Sequence, residues 1–296
     1  MSTTQTESNA NTQDGGGQLT AENRRAEIDG ATLVYRRFGN DGTDAPPLLC
    51  LQHFRGNLDN WDPALVDRLA EDREVILLDN RGVGSSTGTV PDNIPDMARD
   101  ALRFVDVLEL REIDLLGFSL GGFVAQELVL VRPRLVRRLI LAGTAPQGAP
   151  RLHRMSDDVY ALATQDVLDP QRFIKLFFSG SVESRAKAVE FLGRITARKV
   201  DRDEPTDIAT RDAQLEAVTR WGIPDPSKLA QLTAITQPTF VGIGDDDRWM
   251  ITENSRLLAH HLPNSELRVY PDSGHGFLDQ YPEMFADHVK SFLNGG

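Results

Sequence analysis

The most informative segment of the sequence is Gly117-Phe118-Ser119-Leu120-Gly121, which follows the predicted strand Ile113-Asp114-Leu115-Leu116 and precedes a helical pattern over 123–131. A strand, a tight turn and a helix in this order are the setting in which G-x-S-x-G forms a nucleophile elbow. Because strand and helix approach closely there, the residues flanking the serine must lack side chains. The pattern predicts that Ser119 stands on a strained turn at the end of a buried strand.

This turn also puts Ser119 at the N-terminus of a helix. Backbone N–H groups there have no partner inside the helix and can stabilise developing negative charge. The N–H of Leu120 is therefore the first expected oxyanion donor. A serine hydroxyl is a weak nucleophile, so the site also needs a base, and the base needs an acid that orients it.

His275 is the candidate base among six histidines. It lies in the small-residue loop Asp272-Ser273-Gly274-His275-Gly276, directly after a predicted strand at 267–270. The loop is thus expected at the carboxyl edge of the sheet, within reach of the elbow. Surface or packing roles are expected for His153, His260, His261 and His288.

The acid is expected from Gly244-Asp245-Asp246-Asp247, which follows a predicted strand at 239–243. Three adjacent carboxylates cannot all point into one site. Asp247 has the spacing from the glycine that such loops use, Asp246 is the alternative, and Asp245 is expected to cap the loop. Of the three chain orders known for this triad, Ser then Asp then His, as in Ser119, Asp247 and His275, belongs to one fold.

Six apolar runs bounded by turn residues alternate with helical patterns. The runs are almost continuously apolar, as strands of a parallel sheet covered by helices on both faces must be. The chain is therefore predicted to be an α/β protein with a mostly parallel, doubly wound sheet and its site at the carboxyl ends of the strands. The predicted strands are 47–52, 74–79, 113–118, 138–143, 238–243 and 266–270, and the predicted helices are 97–108, 120–131, 254–261 and 283–293.

The alternation fails over residues 146–228, where apolar residues recur at helical spacing. We expect this helical insertion to form a cap over the site, because it leaves and re-enters the sheet on its carboxyl side. Residues 21–145 and 229–296 would form the α/β core. Residues 1–20 are rich in Ser, Thr, Gln, Asn and Gly and are predicted to be a disordered tail.

Composition excludes several partners. A net charge of −12 over 296 residues argues against nucleic acid, which needs clustered Lys and Arg. No apolar run approaches the roughly 20 residues that span a bilayer, and nothing resembles a signal peptide, so a cytoplasmic protein is expected. The single cysteine, Cys50, fits a reducing compartment. Neither a metal nor another cofactor is expected, because the histidines lack zinc-site spacing.

Together these residues resemble the α/β-hydrolase superfamily, in particular its cap-bearing esterases, lactonases and cofactor-free haloperoxidases. Residues 79–86 (DNRGVGSS) look like the structural D-x-R-G-x-G-x-S turn of that family. Gln52-His53-Phe54-Arg55-Gly56, with Trp61 beyond it, is similar to the family's His-Gly-aromatic segment. The resemblance implies that Phe54 gives the second oxyanion N–H, with Arg55 as the alternative. His53 stands where relatives carry glycine, a departure at a tight turn.

The resemblance implies a serine hydrolase that cleaves a carboxylic ester or lactone through an acyl-enzyme on Ser119. Aromatic residues near the carboxyl edge would suit a small apolar substrate. The pocket candidates are His53, Phe118, Phe177, Trp221, Trp249 and Phe277. A structural role is favoured for His53, and packing of the insertion onto the core is an equal alternative for Phe177.

Two other activities and one non-catalytic role stay open within this family. A cofactor-free haloperoxidase or perhydrolase would use the same triad with hydrogen peroxide in place of water. An aminopeptidase would need carboxylates in the insertion, for which Glu183, Glu190 and Glu204 are available. A non-catalytic ligand-binding member would be expected to lack the serine or the histidine. Haloalkane dehalogenases and epoxide hydrolases carry aspartate at the elbow, where this chain has Ser119.

Overall fold

The computed structural model describes residues 16–167 and 169–295. Its eight strands form one sheet in the order β1-β2-β4-β3-β5-β6-β7-β8. They are β1 Arg24–Ile28, β2 Ala31–Gly39, β3 Leu48–Leu51, β4 Glu74–Leu78, β5 Ile113–Phe118, β6 Val136–Ala142, β7 Thr239–Gly244 and β8 Ser265–Tyr270. Strands β3 to β8 pair in parallel, whereas β1 with β2 and β2 with β4 are antiparallel. The predicted mostly parallel α/β sheet is confirmed.

Helices flank the sheet: α1 packs against α11, and α2 packs against α3. The helices are α1 Pro63–Leu69, α2 Ile94–Val107, α3 Leu120–Val131, α4 Asp157–Ala163, α5 Pro170–Phe177, α6 Val182–Ile195, α7 Ile208–Trp221, α8 Pro226–Gln231, α9 Thr252–His261, α10 Phe277–Gln280 and α11 Pro282–Leu293. In the described part of the chain, none of them is long and apolar enough to cross a membrane.

The hairpin formed by β1 and β2 was not among the predicted strands. Only alternate positions of β1 are buried, because this strand lies at the edge of the sheet. Asp29 and Gly30 make the connecting turn, both with positive φ, at 46° and 77°. An Asp-Gly pair between two short strands is the sequence signal that could have revealed the hairpin.

Helices α4 to α8 lie between β6 and β7, in the region predicted as a helical insertion. Helix α8 continues past residue 228, which was the predicted end of the insertion. Arg194 of α6 holds the insertion to the core through hydrogen bonds to Asp62 of 2.5 to 3.0 Å. Its guanidinium also donates to the carbonyl of Asp279 at 3.2 Å. Bidentate pairing with a buried carboxylate fixes the orientation of both groups.

The predicted tail at 1–20 falls largely outside the described residues, which begin at 16. Over 16–20 the prediction of disorder is wrong, because Gln18 is buried at 2% exposure. Its backbone N–H donates to Asp67 at 2.7 Å, and its side-chain amide donates to the carbonyl of Leu58 at 2.6 Å. These two bonds tie the segment to the core.

The turn at 79–86 buries the carboxyl of Asp79 completely. One oxygen accepts the backbone N–H of Leu58 at 2.9 Å. Asp203 of the insertion lies against the other, and Ser85 donates to Asp203 at 2.6 Å. Burial, together with the neighbouring Asp203 carboxyl, raises the pKa of Asp79 well above its usual range. The turn therefore holds two acids in contact.

Asp79→Asn is expected to gain stability over the native chain as pH rises. A carboxyl whose pKa in the fold exceeds its unfolded value of about 3.9 holds its proton more tightly when folded. Its contribution to stability therefore falls as pH rises above about 4. Asparagine keeps the acceptor for Leu58 and carries no charge. Thermal melts at pH 5 and pH 8 should show a Tm difference that grows with pH. The exposed variant Glu22→Gln serves as control, and a pH-independent difference for Asp79→Asn would contradict this assignment.

Candidate active site

Ser119, His275 and Asp247 form one hydrogen-bonded row at the carboxyl ends of β5, β8 and β7. His275 Nε2 lies 2.8 Å from Ser119 Oγ, and His275 Nδ1 lies 2.8 Å from Asp247 Oδ2. All three residues are buried. The carboxylate favours the tautomer with a proton on Nδ1, which leaves Nε2 free to accept the proton of the serine hydroxyl.

The elbow at Ser119 is strained as the sequence predicts. Its backbone lies at φ 55° and ψ −117°, a conformation that non-glycine residues rarely adopt. A Cβ on Gly117 would collide with the carbonyl of Gly121, and one on Gly121 would collide with the carbonyl of Leu51. The close approach of α3 to β5 and β3 therefore requires glycine at both positions.

The acid loop brings one of its three carboxylates into the row. Asp247 Oδ1 accepts the backbone N–H groups of Trp249 and Met250, both at 2.9 Å, while Oδ2 faces His275. Asp245 accepts the N–H of Ser273 at 3.2 Å, and Asp246 is exposed. The two N–H donors to Asp247 were not foreseen, although an aspartate bonding the backbone two residues on is a known turn habit.

The backbone N–H groups of Leu120 and Phe54 have no hydrogen-bond partner among the described residues. Leu120 begins α3, and Phe54 lies in the turn His53–Gly56, closed by a 3.0 Å bond from Gly56 N to His53 O. Contact between Gly121 and Leu51 brings these two segments together. The N–H of Arg55 is bonded to Gln214 at 2.6 Å, so Arg55 is unavailable as a donor.

His53 does not occupy the strained position of this turn. Arg55 does, at φ 63°, so a histidine at position 53 is compatible with the turn. Burial lowers the pKa of His53 to about 3, so its ring is neutral. Its Nδ1–H then donates to the carbonyl of Phe54 at 2.8 Å. The His53 ring packs edge-on against Phe118 and Phe177, with centroids 5.3 and 4.9 Å away.

Three of the predicted pocket residues surround the imidazole of His275. The ring centroids of Phe118, Phe177 and Trp249 lie 5.2, 5.3 and 5.1 Å from it. Phe54 extends this cluster, with its centroid 5.6 Å from that of Trp249. The face of the site beside Ser119 and His275 is therefore aromatic.

Two other predicted pocket residues lie elsewhere. Trp221 stacks on Phe123 of α3 at 5.3 Å, and its indole N–H lies 3.4 Å from the carbonyl of Ala145. Phe277 begins α10 and packs between Tyr270 and Phe285, at 4.9 and 5.4 Å. Both rings are held by core contacts, so they do not join the cluster around His275.

The site is closed to solvent in this structure, because Ser119 and His275 are 0% and 1% exposed. A groove of about 470 Å³ lies outside it, between α5 and the acid loop, and is lined in part by Phe178, Asp246 and Arg248. Within the described ranges, no three His, Cys, Asp or Glu side chains gather as metal ligands.

The sequence matches the family described as the alpha/beta hydrolase fold over residues 46–282. The chain belongs to this family. A solved alpha/beta hydrolase fold protein from Chitinophaga pinensis superposes with a TM-score of 0.89 at 41% identity, covering 95% of this chain and all of that one. The resemblance inferred from the elbow, acid loop and histidine loop is thus confirmed at the level of family.

Two curated relatives indicate the chemistry found in the family. A poly(3-hydroxyalkanoate) depolymerase from Ectopseudomonas oleovorans is 30% identical over 261 residues, covering 83% of this chain and 84% of the relative. A protein from Agrobacterium fabrum with a provisional name as a carbamate hydrolase is 28% identical over 264 residues, covering 88% and 98%. Both names describe hydrolysis, so the chain is a hydrolase by family.

Proposed function

We propose that this hydrolase cleaves a carboxylic ester or lactone through an acyl-enzyme on Ser119. The observation that carries the proposal is the row from Ser119 through His275 to Asp247, with hydrogen bonds of 2.8 Å at each step. A buried hydroxyl, imidazole and carboxylate in this order activate a serine as nucleophile.

In this mechanism Ser119 Oγ attacks the carbonyl carbon while its proton passes to His275 Nε2. The negative charge moves to the carbonyl oxygen, which the N–H groups of Leu120 and Phe54 would stabilise. Collapse of this intermediate breaks the bond to the leaving oxygen, which takes the proton from His275. Water then attacks the acyl-enzyme with His275 again as base, and the carbonyl bond to Ser119 Oγ breaks as this oxygen takes the proton back from His275 and the carboxylic acid leaves. Asp247 stabilises the charged imidazole throughout.

The aromatic cluster favours an apolar acyl group. Phe118, Phe177 and Trp249 supply hydrophobic surface beside His275, and the neutral His53 adds no charge. The depolymerase relative is named for a polyester, which is the same class of bond. An aminopeptidase is not favoured, because Glu183, Glu190 and Glu204 are all exposed.

A substrate panel tests the proposal. Purified protein is assayed with p-nitrophenyl esters of increasing acyl length, lactones, a p-nitrophenyl carbamate and aminoacyl amides. A parallel arm measures halide oxidation with peroxide and acetate, which would detect perhydrolysis. We expect turnover of esters or lactones above that of the other arms. Faster turnover of the carbamate, or peracid formation exceeding hydrolysis, would overturn the ester assignment.

Phe177→Ala is expected to change the preference between short and long acyl chains by about 1 to 3 kcal/mol in kcat/KM. The reason is that Phe177 contacts His275, His53 and Trp249. Trp221→Ala is the matched control, because this ring packs on Phe123 instead. It should cost about 3 to 5 kcal/mol of stability with the preference unchanged. Equal preferences in native chain and Phe177→Ala would exclude Phe177 from the acyl pocket.

A further inference from the structure

Arg55 is a core residue whose polar groups are all directed to the helical insertion. Its guanidinium donates to the carbonyls of Gln165 and Asp166 at 2.6 and 2.9 Å. Its backbone N–H donates to Gln214 Oε1 of α7 at 2.6 Å, and its carbonyl accepts from Thr206 Oγ1 at 3.1 Å. Three separate segments of the insertion therefore hold one residue of the turn His53–Gly56, here called the oxyanion turn.

These hydrogen bonds also maintain the backbone conformation of Arg55. At φ 63° it is a non-glycine residue in the left-handed region, and it is 8% exposed. Such a conformation costs free energy and persists only when neighbouring structure holds it. The same turn carries the N–H of Phe54, which has no partner in the part of the chain that the structure describes. The insertion thus maintains the backbone geometry next to the second oxyanion donor.

The buried position of Gln214 is unfavourable for its side-chain amide. It is fully buried, and its side-chain Nε2 has no hydrogen-bond partner among the described residues. A buried donor without a partner is unfavourable, and most buried donors in proteins are paired. The contact that Gln214 does make, from its Oε1 to the Arg55 N–H, is the one that fixes the oxyanion turn.

We infer that Arg55 and Gln214 are positioning residues through which the docked insertion holds the oxyanion turn in its active geometry. This inference rests on the proposed function, because it assigns the Phe54 N–H to the oxyanion. Ser119 is buried and Phe177 of the insertion packs on His275, so we expect the insertion to shift when substrate enters. Its return restores the bonds to Arg55 and with them the second oxyanion donor. Substrate enclosure and assembly of the site are then a single event.

Two variants test the hydrogen bonds between the turn and the insertion, one at Gln214 and one at Arg55. Gln214→Met removes the acceptor of the Arg55 N–H while keeping a long unbranched side chain. Arg55→Gly removes the guanidinium while glycine keeps the left-handed turn accessible. Gln214→Glu is the rescue variant, because a carboxyl oxygen can still accept from Arg55. Arg211→Ala is the matched control: Arg211 donates to Thr164 O and Asp166 Oδ1 of the same loop, at 2.7 and 2.8 Å.

The first measurement is kcat and KM with the best ester of the panel. Loss of one oxyanion donor lowers kcat by about 10²- to 10³-fold, so we expect Gln214→Met to lose about 10²-fold in kcat with little change in KM. Arg55→Gly should fall in the same direction, Gln214→Glu should recover most of the loss, and Arg211→Ala should match the native chain. The double variant should be no slower than the slower single variant, because the two residues act as a unit.

A second measurement reads the oxyanion directly. Ser119 Oγ adds to the carbonyl carbon of an alkyl trifluoromethyl ketone, its proton passes to His275, and the charge settles on the former carbonyl oxygen. The inhibition constant of the ketone should rise in proportion to the fall in kcat. The Tm of Gln214→Met should stay within about 4 °C of the native value. If the hydrogen bonds to Arg55 only anchor the insertion, the variants should have a lower Tm and a higher KM. The inhibition constant of the ketone should then show no matching change.

The outcomes separate this inference from the proposed function. The inference alone would be overturned if the native chain hydrolyses esters and both Gln214→Met and Arg55→Gly keep its kcat. An equal loss of kcat in Arg211→Ala would also overturn it. A native chain that hydrolyses no ester and binds no trifluoromethyl ketone would overturn the proposed function, and the inference with it.

Discussion

Ser119→Ala is expected to lower kcat for ester hydrolysis by about 10⁶-fold, the loss seen when a serine hydrolase is deprived of its nucleophile. Alanine leaves the strained elbow in place but removes the hydroxyl oxygen, which lies 2.8 Å from His275 Nε2. The residual rate would come from binding and from the oxyanion donors. Initial rates with a p-nitrophenyl ester give the ratio, and circular dichroism verifies the fold.

The matched control is Ser255→Ala, a buried serine whose hydroxyl donates to the carbonyl of Thr144 at 3.1 Å. Its loss should change stability slightly and leave kcat near the native value. Activity of Ser119→Ala within about tenfold of the native chain would show that the hydroxyl is not the nucleophile. An equal loss in Ser255→Ala would show that the assay reports folding instead.

Asp247→Asn is expected to lower kcat by about 10⁴-fold. The asparagine can still accept the N–H groups of Trp249 and Met250 through Oδ1. Its amide would then face His275 Nδ1 with a donor, which favours the tautomer that puts the proton on Nε2. That tautomer cannot accept the serine proton, so the loss falls on the chemical step and not on the fold.

Asp246→Asn is the control beside it, because the Asp246 carboxylate is exposed and lies outside the row. Its kcat should stay close to native. A larger loss from Asp246→Asn than from Asp247→Asn would reassign the acid. The comparison of the two neighbours thus resolves the choice that the run Asp245-Asp246-Asp247 left open in the sequence.

The sequence predicted the elbow well because local sterics dictate it. A buried strand that meets a helix at a tight turn needs glycine at 117 and 121, and both are present. The positions of Asp247 and His275 followed for a related reason. Loops after parallel strands meet at one edge of the sheet, so strand ends alone were enough to bring the three residues together.

Other features depend on long-range packing and had no local signal. His53 is the residue at which the sequence departs from its relatives, but the structure puts positive φ at Arg55, where hydrogen bonds to the insertion hold it. Gln214 lies 159 positions further along the chain and looks like any polar residue of a helix. The separation of Phe177 from Trp221 also depends on which neighbour each ring meets, which helical spacing does not specify.

Mass spectrometry of the acylated protein tests whether Ser119 is the nucleophile. The protein is mixed with a hindered p-nitrophenyl ester such as the pivalate, whose acyl-enzyme hydrolyses slowly, and the reaction is quenched in acid. We predict one acyl group per chain, located by peptide mapping on Ser119 and absent from Ser119→Ala. Steady turnover of the ester with no acyl group on Ser119, or with the group on another residue, would contradict it.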